Sequence, residues 1–229
     1  VTKNTSCGSR ETKVSVFGAG NAGLTAAYHF TQNGCDVALY GAPGFDQQIH
    51  AISAEGGIRS LKSFHDAELE FSGFETITMV TTDIQNAVDF AEVLVLPVPS
   101  FAQEALFLEM LPYLRDGQTL VLMPGNYGSL VLNKLKNDNG FAALQLHFID
   151  AISIPWATRV TGNAEIAILG MKTHLPVAAF PGSKTNELIK LLQPIFPLPL
   201  TPLENVIAVG FENINFGGHP LMTMLNIGL

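Results

Sequence analysis

Between Lys13 and Tyr40 the chain runs KVSVF, then a glycine cluster, then a helical segment stopped by Gly34, then DVALY. Strand, glycine turn, helix and strand within about 30 residues make a βαβ unit. Its parallel strands require helices on both faces of the sheet. The cluster Gly18-Ala19-Gly20-Asn21-Ala22-Gly23 fits G-x-G-x-x-G. In that pattern Gly18 makes the tight turn out of the strand and Gly20 lets a pyrophosphate approach the backbone. Gly23 lets the helix lie close to the sheet. The N–H groups of Asn21 and Ala22 then open a helix whose positive end faces the phosphates. The reading is a dinucleotide site.

The nucleotide is NAD or NADP, and the sequence leaves both open. An acid at the end of the second strand would hold the ribose 2′-OH of NAD. That place falls at Gly41, after Tyr40, and Asp46 is the nearest acid. No Arg or Lys follows to hold a 2′-phosphate. Pro97-Val98-Pro99-Ser100-Phe101 follows the fourth strand. Val98 and Pro99 are placed beside the cofactor, or they form a rigid loop that only ends a strand.

The alternation continues. Ile77–Thr82 reads as a strand, Asp83–Phe90 as a helix and Val93–Val98 as a strand buried on both faces. Ser100–Leu114 reads as a helix with apolar positions at Phe101, Ala105, Phe107, Leu108 and Leu111. Thr119–Met123 is a strand turned by Pro124-Gly125-Asn126. Thr161–Thr173 reads as a hairpin about Gly162-Asn163, and Thr185–Leu192 as an amphipathic helix. Pro194–Pro202, with four prolines, reads as a linker. From Leu203 the pattern is helical to the last residue with no stop signal. The expected fold is α/β: a Rossmann-type, doubly wound, mostly parallel sheet, followed by the first helix of a truncated α-helical domain. The divisions expected are a flexible leader at 1–12, the NAD(P)-binding domain at 13–200, and that first helix at 201–229.

With 47% apolar and 14% charged residues the chain folds. Its net charge of -8 repels phosphate backbones and anionic bilayers, so neither nucleic acid nor a membrane is an expected partner. Cys7 and Cys35 are too few for a disulfide framework and read as free thiols in a reducing compartment. No apolar run reaches the ~18 residues of a bilayer span, and Val1–Lys13 lacks the core of a signal peptide. A cytoplasmic location is expected.

The last segment carries Asn213, Asn215, His219, Pro220 and Asn226. At 3.6 residues per turn Asn215, His219 and Asn226 share one face, set among Phe216, Leu221, Met222, Met224 and Leu225. Gly217 and Gly218 allow close approach, and Pro220 interrupts the helix bonding. A histidine so placed is by itself more often a core residue than a catalyst. The apolar positions Phe211, Phe216, Leu221 and Met224 would offer a face for a homodimer.

The sequence resembles the octopine/nopaline (opine) dehydrogenases from Lys13 onward. VFGAGNAG is generic to Rossmann enzymes and adds little. More specific are AEVLVLPVPSFAQEALFLEMLPYL at Ala91–Leu114 and IPWATR at Ile154–Arg159. LENVIAVGFENINFGGHPLMTMLN at Leu203–Asn226 is the most specific. The resemblance implies that a 2-oxo acid and an amino acid condense and that hydride from NAD(P)H reduces the imine. It makes His219 the general acid/base, with an acidic partner in a second domain beyond this chain, so that the chain alone is expected to be inactive. Asn215 and Asn226 would orient substrate or the histidine, and Arg159 would hold a carboxylate or else lie idle on the surface. Two other readings stay open: a hydroxy-acid or sugar-phosphate dehydrogenase of similar plan, and a non-catalytic NAD(P)-sensing module.

Overall fold

The computed structural model describes residues 12–61 and 71–227. Cys7 and nearly all of the expected leader lie outside the described residues. The first half runs β1 (Lys13–Phe17), α1 (Asn21–Gln32), β2 (Asp36–Tyr40), α2 (Gln47–Glu55), β3 (Gly57–Leu61), β4 (Gly73–Thr76), β5 (Met79–Thr81), α3 (Ile84–Phe90), β6 (Val93–Leu96) and α4 (Ser100–Met110). Then come β7 (Thr119–Leu122), α5 (Gly128–Asp138), β8 (His147–Ala151), β9 (Trp156–Gly162), β10 (Glu165–Met171), β11 (Leu175–Phe180), α6 (Thr185–Leu192), β12 (Leu200–Pro202), α7 (Val206–Glu212) and α8 (Ile214–Leu225).

The main sheet has eight strands in the order β12-β11-β8-β7-β6-β1-β2-β5. From β5 to β8 every pairing is parallel, and β11 turns antiparallel to β8. The chain leaves β1 towards β2 and β5 on one side, then returns to β6 on the other. This reversal opens a crevice at the carboxyl ends of β1 and β6, the place where such sheets bind ligands.

A second sheet, β4-β3-β10-β9, lies across α1. Helix α1 is therefore covered on two sides, and every residue from Gly23 to Phe30 is buried. A helix buried all round must pair its polar side chains within the protein. Thr25 Oγ1 lies 2.7 Å from Thr158 Oγ1, Trp156 Nε1 donates to His29 Nδ1 at 2.7 Å, and Asn21 Oδ1 accepts from Val160 N at 2.7 Å. All three partners lie on β9.

Several expectations need correction. The proline-rich stretch is no linker. Leu200–Pro202 pairs in parallel with β11, and Ile195, Phe196, Leu198 and Leu200 belong to the core. Prolines fit there because β12 is an edge strand, where a missing N–H leaves no ladder bond broken. The C-terminal segment is two helices, not one. Asn213, at ψ 99, leaves the helical region and caps α8 by accepting Asn215 N at 3.1 Å. Helix α4 ends at Met110, and Phe101 is 88% exposed rather than facing the core. The hairpin stands, but its turn is Asn163-Ala164, with Ala164 at φ 53. Cys35 is buried, and burial, helped by Asp36, pushes its thiol up to about 11. Among the described residues no helix is long and apolar enough to cross a membrane.

Candidate functional site

The three glycines after β1 serve packing and access separately. Gly18, at φ 122, donates its N–H to Tyr40 O at 2.8 Å, and a Cβ there would meet Val98 Cγ1 at 2.7 Å. A Cβ on Gly23 would lie 1.7 Å from the carbonyl oxygen of Gly18, so helix and turn touch backbone to backbone. A Cβ on Gly20 would meet nothing within 4 Å. That open space sits at the start of α1, where no side chain caps the helix and no acid occupies the first turn. Unpaired N–H groups facing an open cradle suit a pyrophosphate.

The cradle forms one end of a cleft of about 420 Å³. Gly20, Asn21 and Ala22 line it from α1, and Pro97, Val98 and Pro99 from the end of β6. The far wall is Met123, Pro124 and Asn126 after β7, Ser153 and Ile154 after β8, and Asn213 and Asn215. Gly18 and Gly23 shape the turn without lining the cleft. Tyr40 does not face it either. The ring is buried against Phe17 with centroids 5.6 Å apart, and burial, with Glu109 and Asp83 adding to it, raises the phenol above its usual range.

Gly41 closes the position where an acid would read a ribose. A Cβ there would come within 2.4 Å of Ile49 Cγ1 and 3.3 Å of Ala19 Cβ. Any side chain at 41 would therefore have to displace Ile49 of α2.

At the other end, two asparagines form a joint. Asn126 Nδ2 donates to Ser100 Oγ at 2.8 Å, and Asn213 Nδ2 donates to Asn126 Oδ1 at 2.8 Å. Asn126 and Tyr127 both hold positive φ, at 48 and 66. The Tyr127 ring lies so close to α7 that a Cβ on Gly210 would be 2.2 Å from its Cζ. The loop after β7 thereby fixes where α7 ends and α8 begins. On α8 the His219 Nε2 lies 3.0 Å from Asn215 Oδ1, and Asn215 itself lines the cleft. His219 is exposed.

Two other candidates stand apart from this group. Asn226 caps the end of α8 and donates to Met222 O, so its amide turns back on the helix. Arg159 is exposed on β9, bonds the carbonyl of Thr158 at 2.8 Å and does not line the cleft.

The family model for the N-terminus of NAD-dependent glycerol-3-phosphate dehydrogenase matches residues 13–125, from β1 to the turn after β7. The opine dehydrogenase of Arthrobacter sp. (strain 1C) is 25% identical over 212 residues, 92% of this chain and 56% of that protein. The chain is thus similar to the opine dehydrogenases over most of its length. Solved opine dehydrogenases share its fold. Octopine dehydrogenase in complex with NADH and agmatine superposes with a TM-score of 0.79 at 22% identity, over 95% of this chain and 54% of that one. Yersinopine dehydrogenase with NADP+ bound gives 0.71 at 18% identity, over 93% and 52%. The chain spans about half the length of these curated relatives.

Sequence reasoning missed the far wall of the cleft. Met123, Asn126, Ser153 and Ile154 lie at the carboxyl ends of β7 and β8. The signal was present: in an open α/β sheet every parallel strand end beside the switch point borders the crevice. Asp150, at the end of β8, was missed as well. Its Oδ1 accepts Ser129 N at 3.2 Å, and burial pushes its carboxyl up to about 7, against the lowering effect of the Ser129 hydrogen bonding.

Proposed function

We propose that this chain forms the nucleotide-binding part of an NAD(P)H-dependent opine dehydrogenase, which reductively condenses a 2-oxo acid with an amino acid. The observation that carries the reading is the Asn215–His219 pair, set on a helix whose first turn enters the nucleotide cleft. A nicotinamide dinucleotide supplies the hydride when bound. Gly20, Asn21 and Ala22 bind its pyrophosphate, and Val98 and Pro99 cover it from β6. Asn215 Oδ1 holds the His219 ring, which leaves the other ring nitrogen to exchange a proton with substrate. Ser153 and Ile154 keep the pocket floor small and largely apolar. NAD and NADP remain equal candidates, because Gly41 gives neither an acid nor a cation at the ribose.

Helix α8 exposes Leu221, Met222, Met224 and Leu225. We read this face as the seat of a further helical domain, which would bring the acidic partner of His219; the nucleotide-binding part then extends past residue 200 through β12 (Leu200–Pro202), with α8 leading into the second part. Such a face, left bare, also favours a homodimer. A cytoplasmic location fits the same reading.

The test is NADH and NADPH consumption by the whole protein that carries this chain, with 2-oxo acids and amino acids, each alone and together. Consumption only with both partners is expected, and His219→Ala should remove it while nucleotide still binds. Consumption with the oxo acid alone would make the protein a hydroxy-acid dehydrogenase. Nucleotide binding without any turnover would leave a sensing module.

A further inference from the structure

Asp150 lies directly beneath the turn that forms the far wall of the nucleotide cleft. It stands on β8, fully buried, and a Cβ on Gly125 would come within 2.3 Å of its Cβ and 2.5 Å of its Cγ. Gly125 N donates to Ala151 O at 2.8 Å, so the turn is bound at its start to the strand that carries Asp150. At the other end Asp150 Oδ1 accepts Ser129 N at 3.2 Å. Tyr127, the residue before α5, gives that helix no side-chain cap, and the Asp150 carboxyl takes its place. Between these two holds stand Asn126 and Tyr127, both with positive φ. Residues other than glycine keep that conformation only where the surroundings fix it. Asn126 lines the cleft, donates to Ser100 Oγ and accepts from Asn213 Nδ2. From α4, Gln103 Nε2 steadies the start of the turn by donating to Pro124 O at 2.7 Å.

We propose that Asp150 is a positioning residue of the nucleotide cleft: by filling the space under Gly125 and capping α5 it sets Asn126, and through Asn126 the start of α4 and the joint that orients α8. The carboxyl does this as a neutral acid. Its Oδ2 is buried with no hydrogen-bond partner among the described residues, as is Ser129 Oγ, and burial raises the group from 3.8 to about 7. The elements packed around it bring little charge. β7 and β11 carry no ionisable residue, α5 none before Lys134, and α7 only Glu212 at its last position. Tyr127 sits in the turn itself, and His147 at the opposite end of β8. Loss of the proton would leave a bare carboxylate in an apolar site, and the turn above it is the part that can open to admit water. The inference needs the nucleotide site and not the condensation reaction, so failure of one leaves the other standing.

The test compares the 229-residue chain with two variants. Asp150→Asn keeps the volume and the acceptor for Ser129 N but cannot ionise, and Asp150→Ala removes the hold. NADH affinity, and amide exchange over residues 125–130 of the free chain, are measured at about pH 6 and about pH 8, on either side of the titration. At the lower pH wild type and Asp150→Asn should agree in both. At the higher pH wild type should bind NADH roughly fivefold more weakly than Asp150→Asn, the size of one displaced hydrogen bond, and its turn amides should exchange faster. Asp150→Ala should show the weaker binding and the faster exchange at both. Every other ionisable group is common to the three proteins and cancels from the comparison. If Asp150→Ala fails to fold, wild type against Asp150→Asn still decides. One shared course with pH for those two, or a folded Asp150→Ala that binds NADH as wild type does, would overturn the proposal. So would affinity that changes while the turn amides do not, because the charge would then act on the nucleotide directly. No NADH binding by wild type at either pH would overturn the proposal together with the nucleotide site.

Discussion

Asn213 Nδ2 donates to Asn126 Oδ1 at 2.8 Å, while the Oδ1 of the same Asn213 side chain caps α8 through Asn215 N at 3.1 Å. One buried carboxamide thus ends α7, starts α8 and ties both to the loop after β7. The helix carrying His219 takes its position from that side chain. Replacing it by Ala should cost about 2 kcal/mol, about half from the lost cap and half from the lost bond. Asn213→Asp keeps the cap acceptor and loses the donor, so it should fall between. Denaturant unfolding of the three proteins checks the order, and an Ala variant as stable as wild type would show that the joint is held elsewhere.

The glycines of the turn should separate under substitution. Gly20→Ala has open space and an extended backbone at φ -91, so folding should be untouched. The new methyl would stand in the phosphate cradle, and nucleotide affinity should fall about tenfold, an effect of ~1.4 kcal/mol. Gly23→Ala drives a methyl into the Gly18 carbonyl, which is backbone and cannot yield cheaply. It should destabilise the fold by ~3 kcal/mol or more, as strain and overpacking in a close-packed site do. Thermal unfolding and nucleotide titration of both variants decide the matter. Equal losses of stability would contradict the division of roles.

Gly41 tests whether nucleotide choice can be grafted on. An acid placed there alone should not confer a preference for NADH, because its Cβ runs into Ile49. Gly41→Asp should cost roughly 1–3 kcal/mol from overpacking. Adding Ile49→Ala should recover part of that loss and let the carboxylate reach the ribose, lowering affinity for NADPH more than for NADH. Titration of both nucleotides against the double variant gives the answer, and unchanged relative affinities would place the ribose elsewhere.

The sequence made the first βαβ unit legible because three independent signals agreed: β-branched runs, glycine spacing and a helix stop at Gly34. Strands β6 and β7 were legible as apolar runs at Val93–Val98 and Thr119–Met123, whereas β3 and β4 were not read. Composition misled at Pro194–Pro202, where proline density reads as a linker while Ile195, Phe196, Leu198 and Leu200 supply core. An edge strand tolerates proline, and only the sheet order shows that this strand lies at an edge. The break at Asn213 was hidden as well, since an asparagine inside a helical pattern signals a cap only once a neighbour such as Asn126 holds it. The second sheet, which buries α1, joins residues far apart in the chain, and no local pattern encodes that contact.

His29 should make stability depend on pH. Trp156 Nε1 donates to its Nδ1, so that nitrogen carries no proton in the fold, and Nε2 is buried with no hydrogen-bond partner among the described residues. Burial lowers the imidazole from 6.5 to about 4. Between those values the unfolded chain binds a proton that the folded chain refuses, so stability falls as pH drops through the window. Above 6.5 the ring is neutral in both states and contributes nothing. The full effect is about 3 kcal/mol. Asp150 acts in the opposite sense, because its carboxyl is raised from 3.8 to about 7 and the folded state keeps a proton that the unfolded state loses. Its contribution is present at low pH and is lost as pH rises towards 7. The two slopes offset one another, so the wild-type profile should be shallow between pH 4 and 7. His29→Gln keeps an acceptor for Trp156 and cannot titrate there. Its stability relative to wild type should therefore climb steadily as pH is lowered from 6.5, as urea unfolding across that range would read. A difference that stays constant with pH would mean that the ring takes up its proton as readily in the fold as in the open chain.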